Sequence, residues 1–107
     1  MSVTFSRVRG DNYPIEATIT VNGVAVDLTG STMTFSFKLA DDDVVEAPIE
    51  VDGVLGDEVG LVLFTPTVQQ MGIVGQYDFD IQRENGGVVA THLTGTMLLT
   101  KDVTPNV

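Results

Sequence analysis

The stretch Thr32-Met33-Thr34-Phe35-Ser36-Phe37-Lys38-Leu39 decides the fold class. Met33, Phe35, Phe37 and Leu39 share one parity. Thr32, Thr34, Ser36 and Lys38 share the other. A β-strand points successive side chains to opposite faces, so this run has one dry face and one wet face. Three neighbouring runs follow the same rule. Tyr13, Ile15, Ala17, Ile19 and Val21 oppose Glu16, Thr18, Thr20 and Asn22. Val45, Ala47, Ile49 and Val51 oppose Glu46, Pro48, Glu50 and Asp52. Tyr77, Phe79 and Ile81 oppose Gln76, Asp78, Asp80 and Gln82. Phe35, Phe37, Phe79 and Ile81 are therefore the expected centre of the core.

Working outward, strands are expected over Val3–Val8, Tyr13–Val21, Val24–Val26, Thr32–Leu39, Val44–Val51, Val59–Thr65, Gly75–Arg83 and Val88–Thr100. Turn residues separate them. Asn22-Gly23 suits a two-residue hairpin loop, because Asn and Gly tolerate positive φ. Asp27-Leu28-Thr29-Gly30, Asp41-Asp42-Asp43 and Glu84-Asn85-Gly86-Gly87 are further loops. One short helical turn is expected near residues 66–71, with Thr65 as cap, Pro66 in the first position and Gly72 as stop. Strands at this spacing without amphipathic helices between them predict an all-β, antiparallel sandwich or barrel of about seven to eight strands.

The 107 residues fit a single domain, with residues 101–107 as a short tail. There is no cysteine, which excludes disulfides and thiolate metal sites. No apolar run approaches the roughly 20 residues of a transmembrane helix. Met1–Arg9 lacks the apolar centre of a signal peptide. The chain is expected to be synthesised in a cytoplasm and kept there, or released from it by lysis. Fifteen acidic residues against five basic ones give a net charge of −10. That charge repels nucleic-acid backbones and anionic membranes, so neither is an expected partner. It supplies solubility, or a docking face for a basic partner.

Residues that carry chemistry are sparse. His92 is the only histidine. Its parity, opposite to Leu93 and Met97, turns it toward solvent, away from any nucleophile or orienting carboxylate. The acidic stretch Asp41–Glu58 lacks the ligand spacing of a calcium loop, although Asp52 and Asp57 flank a glycine-containing loop. Asp78 and Asp80 lie on one strand face about 7 Å apart. A glycosidase pair also needs a cleft with aromatic walls, and the chain has no Trp and two Tyr. Arg9-Gly10-Asp11 spells a cell-adhesion tripeptide, but its Gly and Asp suit a turn equally well. No catalytic residue, metal ligand or cofactor is expected. Two segments have no charge to blunt a sheet edge: Ser2–Ser6 before Arg7, and Thr94–Thr100 before Lys101. Val3, Phe5, Thr96 and Leu98 are the expected interaction-edge residues.

The order of turns carries a resemblance. Arg9-Gly10-Asp11 follows the first strand, Asp27-Leu28-Thr29-Gly30 precedes the Thr32 strand, and Gly75-Gln76-Tyr77 opens a later one. This pattern resembles the immunoglobulin-like domain of bacteriophage structural proteins. It is most similar to the N-terminal domain of the phage baseplate upper protein family, from about Phe5 to Thr104. The resemblance implies an immunoglobulin-like sandwich in which Leu28 plugs one end and Tyr77 packs its ring inward with its hydroxyl at the rim. Unlike baseplate arms, the sequence stops at Val107 without a receptor-binding, coiled or spacer region, which suits a small stand-alone virion component. The antibody Cys pair and core Trp are absent.

The expected function is that of a non-enzymatic virion structural protein of the tail, baseplate or head surface, synthesised in a bacterial host cytoplasm. Its partners would be other virion proteins or copies of itself, with a trimer expected by analogy with phage parts. The alternatives are a module that binds host-surface carbohydrate and, third, a hydrolase.

Overall fold

A computed structural model describes residues 2–40 and 48–101. The strands are β1 (Ser2–Val8), β2 (Ile15–Thr18), β3 (Thr20–Val21), β4 (Val24–Ala25), β5 (Thr32–Leu39), β6 (Ile49–Leu55), β7 (Leu61–Phe64), β8 (Gly75–Asn85) and β9 (Val88–Thr100). Seven of them form one curled sheet in the order β1-β9-β8-β5-β6-β7-β2, and β3-β4 is a separate ribbon. The result is an all-β, sandwich-like fold.

The alternation in β5 and β8 sets the core. Met33, Phe35, Phe37, Tyr77, Phe79 and Ile81 are all buried. Phe35 pairs with Ile81 and Phe37 with Phe79 across the β5–β8 ladder. The Phe35 and Phe79 rings stack at 5.1 Å, and Phe35 also meets Phe64 from β7 at 5.6 Å. That second contact joins the two layers.

The layers connect through β6. Its first half pairs with β5, from Phe37↔Ile49 to Thr34↔Asp52. Its second half, Gly53–Leu55, pairs with β7. Gly53 sits at the handover. A Cβ there would come within 2.6 Å of Val62 Cγ2 and 2.7 Å of Phe64 Cε1, so the missing side chain lets the strand close over the core.

Several expectations change. The Tyr13–Val21 strand breaks at Ile19, whose N–H donates to Gly60 O at 2.8 Å instead of joining a ladder. Tyr13 and Val21 are exposed although their parity is dry. Past that break, and before the strand begins, alternation no longer reports a shared face. The strand expected to end at Val51 continues to Leu55, through Asp52 and Gly53, as β6 (Ile49–Leu55). The first half of the expected span Val44–Val51, together with Asp41–Asp43, lies outside the described residues. Among the described residues there is no helix. Residues 67–71 make one turn, closed by Met71 N–H on Thr67 O at 3.2 Å. Its cap is Thr67 rather than Thr65. Thr67 Oγ1 accepts from Gln70 N–H and Gln70 Oε1 accepts from Thr67 N–H, a reciprocal capping box. Not every pairing is antiparallel, because β1 runs parallel to β9.

The turn readings hold where glycine or asparagine was the signal. Asn22 and Gly23 both adopt positive φ, at 54° and 79°. Leu28 is buried at its turn. Tyr77 is buried and its hydroxyl donates to Ile73 O at 2.7 Å.

Candidate docking surface

β1 carries the first feature of the site. Val3, Phe5 and Arg7 point inward by parity, and Thr4, Ser6 and Val8 point outward. On one side β1 pairs with β9 from Ser2↔Thr94 to Val8↔Thr100. As the terminal strand of the order, it carries no ladder on its other side among the described residues. Val3 and Phe5, two of the expected edge residues, therefore lie on an open edge. Thr96 and Leu98 do not. They lie on β9, which is bonded to β8 on one side and to β1 on the other over this stretch. Leu98 keeps an exposed side chain, but the backbone there has no place for a further strand. The sequence could not reveal this, because nothing local announces a parallel partner more than ninety residues away.

β2 is the opposite terminal strand. Both edges line one cleft of about 270 Å³, with Val3, Phe5 and Arg7 on one wall and Ile15, Glu16 and Ala17 on the other. Phe35, Phe79, Ile81 and Leu93 form its floor. Phe5 is anchored edge-on against Phe79. Gly95 makes that packing possible, since a Cβ there would collide with the Val3 carbonyl and approach Phe79 Cε1 to 2.8 Å.

Arg7 closes one end of the cleft. It is buried, and its guanidinium donates to Tyr13 O and, at 2.8 Å, to Pro14 O. The same group lies 3.6 Å from the centroid of the Tyr13 ring. Burial lowers its pKa, opposed by the neighbouring Tyr13 and Asp11. In the sequence Arg7 reads only as the charge that ends an uncharged edge. Its role as a latch depends on the segment 13–14 folding back, which no local pattern announces.

The polar face of β5, β8 and β9 holds a wider, shallow depression of about 520 Å³ lined by Ser36, Lys38, Asp78, Asp80, Thr94 and Thr96, among others. Lys38 pairs with Asp78 and Ser36 with Asp80 across the ladder. Burial pushes the Asp80 carboxyl up, and its Oδ1 is shielded without a hydrogen-bond partner among the described residues. The expected Asp78–Asp80 pairing on one face thus exists.

His92 departs from its expected solvent-facing place. It is half-buried, and its Nε2 is shielded without a hydrogen-bond partner among the described residues. A register shift opposite Ile81 and Gln82 makes His92 the extra residue of a β-bulge, where strict alternation fails. Asp52 lies in β6 and Asp57 in the loop after it, so the segment between them is mostly strand rather than loop. Among the described residues, no three His, Asp or Glu side chains converge as a metal site. Arg9-Gly10-Asp11 is a turn tied into the body. Arg9 N–H donates to Thr100 O, Gly10 N–H to Met71 O and Asp11 N–H to Val8 O.

A family model of the BppU N-terminal domain, that of the phage baseplate upper protein, matches residues 2–94. The chain belongs to that family. The match runs from the start of β1 to the middle of β9, so it includes both walls of the cleft. Membership makes the chain a phage baseplate structural domain and a virion component. A search of curated proteins finds no match.

Proposed function

We propose that this BppU N-terminal domain acts without catalysis, as a single immunoglobulin-like unit that docks on other virion proteins. The open β1 edge, uncharged as far as Ser6, beside a cleft with an apolar floor is the observation that carries this reading. Main-chain groups along such an edge supply affinity, and the alternate side chains supply specificity. The buried Tyr77, whose hydroxyl bonds four residues back to Ile73 O, supports the immunoglobulin-like assignment, since a tyrosine corner of this kind recurs in those sandwiches. Family membership favours the baseplate over the rest of the tail or the head surface as the place where it docks. A homo-oligomer, a trimer by analogy with phage parts, is the alternative assembly of the same edge. The net charge of −10 weighs against nucleic acid and anionic membrane as partners.

One observation favours a second reading. Asp78 and Asp80 share a depression, and burial raises Asp80, which meets one of the conditions of a hydrolytic carboxylate pair, although the depression is shallow rather than a walled cleft. The carbohydrate-binding reading has less support. Tyr13 is the one exposed aromatic residue among those described, and Arg7 covers its ring.

Mass spectrometry of purified particles, with light scattering of the isolated protein, tests the proposal. Stoichiometric presence in the particle is expected. Absence from particles, together with a monomer that joins no virion component, would reject docking. Release of sugars from host-wall polysaccharide, lost in Asp80→Asn, would promote the hydrolase.

A further inference from the structure

β1 and β2, the two ends of the sheet order, face one cleft across an apolar floor. Among the described residues each wall has a ladder on one side only, β1 to β9 and β2 to β7, and so offers one row of backbone N–H and C=O groups without a strand partner. Two such rows bordering one cleft suit an extended chain laid along it. Arg7 holds one end shut through Tyr13 and Pro14, which fixes the spacing of the walls there.

We infer that this cleft receives an extended segment of another virion protein as an added strand between β1 and β2, with apolar residues at alternate positions and Lys or Arg flanking them. The inference rests on the docking reading above and names its site and its partner's chemistry. The apolar positions of the segment would face Phe35, Phe79 and Leu93 on the floor. The basic flanks follow from charge. Glu16 lines the β2 wall, and the only cation in the lining, Arg7, is already committed to two carbonyls and the Tyr13 ring. Charge also decides against a second copy as occupant, since two chains of net −10 repel each other.

The test uses particles assembled without this chain, to which the purified protein is added back. Hydrogen exchange then reads the amides of β1 and β2 in the bound state. The wild type is expected to bind and to gain protection on both strands together. Ala17→Lys places a charge in the cleft and is expected to lose binding. Glu16→Lys, on an exposed wall position, keeps the core intact should Ala17→Lys fail to fold, and is expected to weaken binding at least roughly tenfold. Val88→Lys, at the exposed tip of the β8–β9 hairpin, is expected to bind like the wild type. Wild-type binding with protection on β1 alone or elsewhere, or undiminished by Glu16→Lys, would overturn the cleft assignment and leave docking standing. Failure of the wild type to bind would overturn both. Self-association with the same two-strand protection would replace the partner by a second copy and overturn the inference.

Discussion

The ring of Phe5 meets that of Phe79 edge-on, with centroids 5.3 Å apart and planes at 69°. Phe79 in turn stacks on Phe35 at 5.1 Å. An aromatic chain thus runs from the centre of the core to the open edge strand. Packing on this side fixes where β1 lies, while its outer backbone groups stay available. A docking edge needs both properties, because a strand ordered in advance costs less to engage than one ordered on binding.

The core register gives the first prediction. Phe37 is buried between Phe35 and Tyr77, with ring centroids at 5.7 Å and 5.4 Å. Phe37→Ala is expected to cost roughly 3–5 kcal/mol, through lost transfer energy plus a cavity. Thr34→Ala, on the opposite face of β5, is expected to cost well under that. Urea unfolding of both variants measures the difference, and equal costs would contradict the register.

At the handover between layers, Gly53→Val is expected to destabilise by roughly 1–3 kcal/mol. Its side chain would enter space held by Val62 and Phe64. Gly86→Ala in the β8–β9 loop meets no atom within 4 Å and strains only a backbone at φ 61°. It is expected to cost less. Thermal melts compare the two, and a tolerated Gly53→Val would show that the layers do not close there.

Asp80 gives a pH prediction. Burial raises its carboxyl pKa in the folded state, so in that window the folded state holds more protons than the unfolded one. Stability from this group is undiminished below the unfolded value, near pH 4, and falls as pH rises through the raised folded value. Asp80→Asn removes the penalty. The variant is expected to melt higher than the wild type at neutral pH, with the gap closing below about pH 4. Asp27 has the opposite sign. Hydrogen bonds from Thr29 hold its carboxylate below the usual range, so its contribution is present at neutral pH and lost on acidification. A gap that widens in acid would contradict the assignment for Asp80.

A chelator is expected to leave the melting temperature unchanged within about 1 °C, since a metal bound only by the folded form would raise it by mass action. A rise of many degrees on adding Ca²⁺ would turn the Asp41–Glu58 stretch into a ligand set.

Local patterns made most of this fold legible. Alternation in β5 and β8 identified Phe35, Phe37, Phe79 and Ile81, because one face of each strand is buried along its length. Positive-φ loops were legible at Asn22-Gly23 and Gly86-Gly87, since few other residues adopt that backbone. Strand limits near Asp52 and Gly53 were not, because the glycine that reads as a loop serves a strand crossing between layers. The site was half legible. Lack of charge marked Val3 and Phe5 on the true edge, but the same criterion chose Thr96 and Leu98 on an interior strand. Absence of charge suits a buried strand as well as an open one, and only the pairing of β1 with β9 separates the two. The Arg7 latch and the β2 wall arise from tertiary contacts and left no local trace.

Electron microscopy of the particle that contains this chain, at a resolution that traces strands, tests the central claim most directly. The account predicts density for the domain in the baseplate, with its β1 and β2 side against a neighbouring virion protein and an extended segment of that neighbour in the cleft. A particle that lacks the domain, or one that holds it through the β3–β4 ribbon with the β1 edge open to solvent, would contradict it.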